Sequence, residues 1–298
     1  MKKTSILKSI ATVVLLFIAT SGIFAQVTVN NAQIAARPVY DAAYYNTIGN
    51  YMTGGNDAAS IGAEMPYSVI RDLNVNGVLF NPSTFEWSWT GLTALVDLAA
   101  STPIVSMNPV GSILVKATMP GAVGTATIKT QEVSNPKVGT GCTDAVGTSL
   151  TIDVKALPSF LLPTVALGGC GLSGTTYDIA SGLTGVAPFY VDYTITGVDL
   201  AGAAIGAGES YSVTISAADA GLIKIDPTQL AHLGAAATLA ATKSGKYTVT
   251  VNKVWDELSF KAMNSSLLAV TTSATKTIDI FVYPTPQTQP IKFIKKLP

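Results

Sequence analysis

Charged residues are scarce in this chain. Only 12% of its 298 residues are Asp, Glu, Lys or Arg, and the 18 basic residues balance the 18 acidic ones, whereas about 25% charged is usual for a soluble domain. Nucleic-acid binding depends on an excess of Lys and Arg that neutralises phosphates. The composition therefore argues against nucleic acid as a partner. Because 48% of the residues are hydrophobic, burial can offset the entropy of ordering, and the chain is expected to fold.

Histidine and cysteine are almost absent. One His, His232, and two Cys are too few for a zinc site of the usual His/Cys kind. A Ser-His-Asp site would need His232 as its proton relay, and the chain has no Gly-x-Ser-x-Gly motif to supply a nucleophile. Asp256 and Glu257 are adjacent, so on a strand they would point to opposite faces and could not form a glycosidase pair. We predict no catalytic residue, no metal site and no cofactor.

The first 25 residues are organised like a secretory signal peptide. Lysines precede an apolar run over residues 13–18, and small residues follow it up to Ala25. Cleavage after Ala25 would leave Gln26 at the start of an exported chain, in the periplasm, on the cell surface or outside the cell. The apolar run is shorter than the roughly 20 residues of a membrane span, and no later stretch is long enough. We therefore expect no transmembrane segment in the mature chain.

Short alternating runs rich in Thr and Val, separated by Gly and Pro, dominate from Ala63 onward. Such runs are typical of β-strands. Many short strands with turns between them favour a sandwich over an alternating βαβ fold. Only residues 229–242 have a composition that would suit some helix. The sequence therefore predicts an all-β protein.

Three segments occur twice in the chain, in the same order. They are FEWSWTG at Phe85 with FYVDYTITG at Phe189, GTATIKTQEV at Gly124 with GKYTVTVNKV at Gly245, and TIDV at Thr151 with TIDI at Thr277. The offsets are 104, 121 and 126 residues, which indicates an insertion in the second copy, expected around residues 200–226. Three matches in one order predict a duplicated β-unit.

The first matched segment of each copy predicts a set of core aromatic residues. On a strand, Phe85, Trp87 and Trp89 share one face, while polar neighbours point the other way. Phe189 and Tyr193 are arranged in the same way in the second copy. Burying rings of this size stabilises the central strand of a small sandwich by on the order of a few kcal/mol. These residues are therefore expected to face the interior.

The order of the strands points to a family resemblance. An aromatic strand, a Gly-x-Tyr-Thr-Val strand and a closing strand that runs into Pro follow the layout of immunoglobulin-like sandwiches, and Tyr247 sits where such folds place a tyrosine corner. LTGVAPFYVDYTITG, SGKYTVTVNKVWD and YPTP resemble the PKD/Ig-like repeats of proteins exported by Bacteroidota, including proteins linked to gliding motility and type IX secretion. The resemblance covers roughly residues 67–286. The final IKFIKKLP is too short for a type IX sorting domain.

The resemblance implies two tandem immunoglobulin/PKD-like β-sandwich domains after a cleaved signal peptide. We predict a signal peptide over 1–25, an N-terminal extension over 26–62, sandwiches over 63–157 and 158–286, and a basic tail over 287–298. The extension is expected to be either an extra strand or a flexible lead used in assembly. The tail is expected to be either a docking peptide or a disordered end.

Cys142 and Cys170 are 28 residues apart and straddle the junction of the two predicted domains. A lone pair of cysteines in an oxidising compartment usually forms a disulfide. Each resembles a cysteine position of the repeat family whose usual partner within the domain is absent here, which leaves the two to each other. The bridge would pin the linker LPSFLLP over residues 157–163. The alternative is two free buried thiols.

Two functions are compatible with this sequence. The first is an exported, non-enzymatic structural or interaction protein that presents sandwich edges and loops to protein partners in the cell envelope or at the cell surface, in adhesion, gliding or secretion. The alternative is a carbohydrate-binding module that captures polysaccharide on exposed rings. Trp255, in the turn-like segment VWDELSF, is the candidate ligand contact because its position is less constrained than those of Trp87 and Trp89.

Overall fold

The computed structural model describes residues 28–30, 57–69, 80–104, 109–110, 114–136, 140–170, 176–233 and 244–284. The predicted signal peptide, 1–25, and basic tail, 287–298, lie outside these residues. The strands of the first part of the chain are β1 Thr28–Asn30, β2 Asp57–Ser60, β3 Glu64–Ser68, β4 Phe80–Thr90, β5 Ala94–Asp97, β6 Thr102–Pro103, β7 Pro109–Val110, β8 Leu114–Thr118, β9 Gly124–Pro136 and β10 Thr148–Lys155.

The second part of the chain contains seven strands and two short helices among the described residues. They are β11 Leu167–Cys170, β12 Tyr177–Ala180, β13 Phe189–Asp199, β14 Glu209–Ile215, β15 Leu222–Ile225, α1 Pro227–His232, β16 Gly245–Trp255, α2 Glu257–Lys261 and β17 Thr277–Tyr283. Single 3-10 turns lie at Ala217–Asp219 and Ser265–Leu267. The predicted all-β class is confirmed, and part of the segment predicted to allow helix is helical in α1.

Strands β2 to β10 form one sandwich, which we call the first unit. Its two sheets have the strand orders β2-β10-β9-β4-β7 and β3-β8-β5-β6. A single cluster of buried apolar side chains lies within it, and Phe85, Trp87 and Leu95 are among its members. Strands β11 to β17 form the second unit, with sheets β1-β14-β13-β16-β17-β11 and β12-β15 around a second cluster.

The large sheets of the two units repeat one topology. Reading from the edge, β2-β10-β9-β4-β7 in the first unit corresponds to β11-β17-β16-β13-β14 in the second. In both units the edge strand pairs in parallel with its neighbour, β2 with β10 and β11 with β17, and the other pairs are antiparallel. Two sheets around one core, with this order, are an immunoglobulin-like arrangement. The duplicated segments lie on corresponding strands.

The strand register refines the sequence alignment of the copies. Thr127 lies opposite both Thr90 and Thr151 in the first unit, and Thr250 lies opposite both Thr194 and Thr277 in the second. By this register Thr127 corresponds to Thr250, two residues beyond its partner in the sequence match. A two-residue shift keeps every side chain on the same face because the strand period is two. The sequence match therefore assigned the side chains of β9 and β16 to the right faces, but it was shifted by two residues along the strands.

The expected insertion over residues 200–226 is misplaced. That segment holds β14 and β15, and about as many residues separate β13 from β15 as separate β4 from β8. The additional residues of the second copy follow β15, where α1 lies, and also occupy the connection between β16 and β17. Loops at the ends of a sandwich tolerate extra length because the backbone there can reach solvent.

Alternation along the central strands explains how the core is filled. In β13 the inward side chains Phe189, Val191, Tyr193 and Ile195 are buried, and the side chains between them are not. Successive side chains of a strand point to opposite faces, so one face can be wholly apolar. On β16, Tyr247 is fully buried, and burial, followed by the nearby Tyr177, raises its pKa to about 12.

The first unit buries its aromatic residues in the same way. Phe85 and Trp87 are 2% and 1% exposed, and Trp89 packs half-buried against the same cluster near the end of β4. The N-terminal extension contributes strands to both units. Strand β1 joins the second unit's large sheet, and β2 is the edge strand of the first unit's large sheet. Of the two alternatives for the N-terminal extension, the described residues show the extra strand.

Replacing Ile195 by alanine is expected to lower the free energy of unfolding by about 2 to 5 kcal/mol, because the side chain is fully buried in the second unit's core and its loss leaves a cavity. Thr196→Ala, at the next and exposed position of β13, is the matched control and should change the value by less than about 0.5 kcal/mol. Urea denaturation measures both. Equal effects of the two substitutions would contradict the assignment of faces.

Candidate functional site: the unit junction and the β14 edge

The linker between the units is fixed by the second unit. Phe160 and Leu162 are buried in the second unit's core. The Leu162 amide donates to the Thr275 carbonyl at 3.0 Å, and the Ser273 hydroxyl donates to the Phe160 carbonyl at 2.6 Å. Pinning of this segment, which we expected from a disulfide, is achieved by burial and main-chain hydrogen bonds.

The predicted disulfide between Cys142 and Cys170 is not formed in the structure. Both cysteines are free and exposed, so the alternative of two free buried thiols is wrong as well. Cys142 lies beside β9 in the first unit, where its amide donates to the Ser134 hydroxyl and its carbonyl accepts from the Ser134 amide. Cys170 ends β11 in the second unit, opposite Tyr283. Cys142 thus lies in the connection after β9 in the first unit and Cys170 in a strand of the second, and sequence separation carries no information about that placement.

The connection from β16 to β17, residues 256–276, reaches from the second unit to the first, and we call it the junction loop. It begins at Asp256, whose fully buried carboxylate caps α2. Asp256 Oδ1 accepts from the Ser259 amide at 2.9 Å and from its hydroxyl at 2.6 Å. Asp256 Oδ2 accepts from the Val186 amide at 3.2 Å. A buried carboxylate is tolerated because hydrogen-bond donors surround it.

Gly185 makes room for this carboxylate. Its φ is +133°, in the region that favours glycine, and a Cβ there would stand 2.9 Å from Asp256 Oδ2. The start of the junction loop is thus held to the β12–β13 connection of its own unit.

Aromatic side chains pack together where α2 meets strands β13 and β16. Phe260 stacks on Tyr190, with ring centroids 3.7 Å apart, and meets Trp255 edge-on at 6.1 Å. The Trp255 indole nitrogen donates to the Ser265 carbonyl at 2.8 Å, and the residue is only 6% exposed. The interpretation of Trp255 as a ligand contact is therefore wrong: its ring packs under the junction loop and its polar atom is already used.

The middle of the junction loop bonds directly to the first unit. The Met263 amide donates to the Glu64 carbonyl at 2.8 Å, and the Glu64 amide donates to Asn264 Oδ1 at 2.9 Å. Asn264 Nδ2 donates to the Gly62 carbonyl at 3.0 Å. The Asn264 side chain thus bonds to two main-chain groups on either side of Ala63, as a neighbouring strand would.

Apolar contacts close the same junction. Ala262 and Leu268 belong to the second unit by sequence, yet both are buried in the first unit's core cluster, where they are 4% and 6% exposed. A methyl carbon of Leu268 would lie 3.8 Å from a Cβ placed on Gly62. The junction loop therefore ties the units by hydrogen bonds and by shared core packing.

Strand β14 is separated from the edge of its sheet only by the three-residue β1, and we call this side of the sheet the β14 edge. Apart from β1, the edge strands among the described residues have at most five residues, and each carries Pro, Gly or a charged side chain: β2 Asp57, β3 Pro66, β6 Pro103, β7 Pro109, β11 Gly168 and Gly169, β12 Asp178, and β15 Lys224. Such features prevent edge-to-edge association. Strand β14 has seven residues, ESYSVTI, in unbroken register with β13, and its one charged residue is Glu209 at the start.

Strand β1 covers the middle of this edge. Thr28, Val29 and Asn30 pair antiparallel with Val213, Ser212 and Tyr211. Four residues of β14, at its two ends, are not paired with β1. The Tyr211 hydroxyl donates to Glu209 Oε2 at 2.6 Å, and burial together with this carboxylate raises the pKa of Tyr211 well above its usual value. Strand β14 is therefore paired with β13 along its length, and its inward-facing Tyr211 is held by this hydrogen bond.

The end of β14 is fixed by a buried carboxylate. Asp219 Oδ2 accepts from the Ser216 amide at 2.9 Å and its hydroxyl at 2.7 Å, and Lys224 Nζ lies 3.1 Å from Asp219 Oδ1. Burial alone would raise the pKa of Asp219, but the hydrogen bonds from Ser216 and Lys224, with the lysine's charge, outweigh it and lower the pKa below its usual value.

Sequence reasoning missed both the junction loop and the β14 edge. Asp256 was considered only as half of a catalytic pair, and Asn264 and β14 were not singled out. The sequence DELS could have been recognised as a helix start, because Asp followed three residues later by a side chain that can bond back is a capping pattern. Among the described residues, no group of three or more His, Cys, Asp or Glu could hold a metal ion, and none of the helices is long and apolar enough to span a membrane.

No protein-family model matches the chain, and no curated protein matches its sequence. Solved structures of fibronectin-III-like and immunoglobulin domains do match. The fibronectin(III)-like modules of Clostridium thermocellum CbhA cover 90% of this chain and 100% of their own, at 13% identity and a TM-score of 0.33. The first two immunoglobulin domains of DIP-gamma cover 78% and 94%, at 9% identity and a TM-score of 0.23. Scores this low carry no argument, and the fold rests on the strand order described above.

Asn264→Ala is expected to lower the free energy of unfolding by about 1 to 2 kcal/mol, because it removes two hydrogen bonds between the units and leaves part-buried main-chain groups unpaired. The control is Asn252→Ala, an exposed residue whose amide donates to Thr194 within the second unit, with an expected change below about 0.5 kcal/mol. Urea denaturation followed by tryptophan fluorescence measures both, and an unaffected Asn264 variant would show that the junction contributes nothing.

Asp219→Asn is expected to lower the free energy of unfolding by about 1 to 3 kcal/mol at pH 7. A carboxyl whose pKa is lowered by folding contributes stability that is complete above its unfolded pKa of about 3.9 and is lost as pH falls through the folded value. The difference between wild type and variant should therefore shrink below about pH 4. Denaturation curves at pH 7, 5 and 3 measure it. A difference that stays constant with pH would contradict the assigned pKa direction.

Proposed function

We propose that this protein is an exported, non-enzymatic interaction protein of the cell envelope or cell surface, which binds protein partners through the edges of its sandwich units. The observation that carries the proposal is the β14 edge. It is a seven-residue strand that β1 covers at only three positions, and it lacks the Pro, Gly or internal charge found in the other described edge strands apart from β1. An extended segment of another protein can bind such an edge through main-chain hydrogen bonds.

The junction supports a structural role. The junction loop shares hydrogen bonds and core packing with the first unit through Asn264 and Leu268, so the β14 edge is held at a fixed position relative to the first unit. A rigid arrangement lowers the entropy cost of binding because less has to be ordered on association. Export is supported by the signal-like segment 1–25 and by the resemblance to exported repeats. That resemblance is also the ground for placing the protein in an envelope process such as adhesion, gliding or secretion.

Site-specific photocrosslinking tests the docking edge in the cells that produce the protein. A photoreactive residue replaces Thr214, which lies on β14 beyond the part that β1 covers. The matched control replaces Thr250, on the same outward face of the central strand β16. We expect a covalent adduct of discrete mass from position 214 and none from position 250, because an edge partner cannot reach the middle of the sheet.

The same cells test export. Mass spectrometry of the protein from the envelope or medium is expected to show a chain that begins at Gln26. Retention of the uncleaved chain in the cytoplasm would overturn the export part of the proposal. Adducts from neither position would overturn the docking part. Equal adducts from both positions would show that the sheet face, and not its edge, is the binding surface.

A further inference from the structure

The search for a partner of the β14 edge begins with the strand that already lies on it. Strand β1 occurs early in the chain, and the next described strand, β2, belongs to the other unit. The two strands are separated by residues 31–56. A connection of 26 residues can extend to about 90 Å, several times the width of a sandwich. The link between β1 and its own chain therefore does not restrict it to its own β14.

Strands β1 and β14 pair through their main chains. Three residue pairs in antiparallel register join Thr28–Asn30 to Tyr211–Val213. An identical strand from a second copy forms the same pairs with the same register, so exchange between copies costs no contact. The sequence around the strand, Val-Thr-Val-Asn over residues 27–30, has the β-branched composition that favours an extended segment.

The position of β1 in the chain also suits a donor strand. With the predicted cleavage after Ala25, Thr28 is the third residue of the mature protein. A free end can leave one edge and join another without threading the chain. The acceptor edge lies on the second unit, which is joined firmly to the first through Asn264 and Leu268. Donor and acceptor are therefore different surfaces of the chain, the donor in β1 and the acceptor in β14 of the second unit.

We propose that the β14 edge of one copy binds the Thr28–Asn30 strand of a second copy, so that copies of this chain assemble head to tail. This inference rests on the proposed function, since it names the partner of the docking edge. Because the donor and acceptor surfaces differ, the contact is heterologous, and each added copy brings a new free edge. The assembly is then an open chain of copies, not a closed dimer.

Engineered cysteines test the exchange with the full exported chain. In a Cys142→Ser, Cys170→Ser background, one preparation carries Val29→Cys and a second, with a different affinity tag, carries Ser212→Cys. Val29 and Ser212 are directly opposed in the antiparallel register, and opposed positions of a sheet are close enough for a disulfide. The preparations are mixed, oxidised and separated on a non-reducing gel. We expect a disulfide-linked heterodimer that carries both tags.

A chain that carries both substitutions is expected to give a ladder of covalent multimers, which is lost on dilution because the link forms between copies. The matched control pairs Val29→Cys with Thr250→Cys, whose position on β16 lies away from the edge, and it should give neither heterodimer nor ladder. Val29→Pro, which removes a main-chain donor from the strand, should return the protein to monomeric mass in light scattering without lowering the urea midpoint of unfolding.

Two results would overturn the inference. The first is a link that forms only within one chain at every concentration, with no heterodimer in the mixture. The second is a disulfide dimer of Ser212→Cys alone, which would show that two β14 edges pair with each other. Neither result affects the proposed function, because photocrosslinking from position 214 detects any protein at the edge, whether a second copy of this chain or a different protein. Conversely, if no adduct forms at position 214 in cells, the proposed function is wrong, whatever the cysteine variants show.

Discussion

The main-chain hydrogen bond is the constraint on which this structure depends. A buried amide or carbonyl without a partner costs about 1 to 3 kcal/mol, so every strand needs a neighbour on both sides or a way to end the sheet. The inner strands of both units satisfy this requirement through their registers. The same requirement explains the junction, where the Asn264 amide side chain bonds to the main-chain groups of Gly62 and Glu64. It also explains why β14, a long edge with little protection, has β1 beside it.

The large sheets of the two units share one strand order, but the units are not equivalent in their use of the connections between strands. In the first unit the connection between β9 and β10 is short and stays beside β9, where Ser134 bonds to Cys142. The corresponding connection of the second unit is the junction loop, which begins at the buried Asp256 and places Ala262 and Leu268 in the neighbouring core. This longer loop thus joins the second unit to the first by hydrogen bonds and shared core packing. The repeated sheets supply the scaffold, and the departures from the repeat supply the candidate site.

Alternation along single strands could be read from the sequence with good accuracy. Phe85, Trp87, Phe189 and Tyr193 lie inside because a period of two, flanked by polar residues, leaves one apolar face. This reasoning did not extend to Trp255, which lies at the end of β16, where alternation stops and the ring is covered by a loop that follows it. The pairing of Cys142 with Cys170 rested on other grounds, and the distance between two cysteines in the fold is not encoded in the number of residues between them.

By itself the sequence determined the fold class, the repetition of the sheet and the faces of its central strands, since these follow from local patterns of apolar and polar residues. Only the tertiary structure decided the register of the strands, such as Thr127 opposite Thr90 and Thr151. It also decided the role of Asp256 and Asn264 in joining the units, and the position of β14 near the edge of its sheet. The reason is physical: faces are set by neighbours one or two residues apart, whereas registers, junctions and edges are set by contacts between residues up to about 200 positions apart.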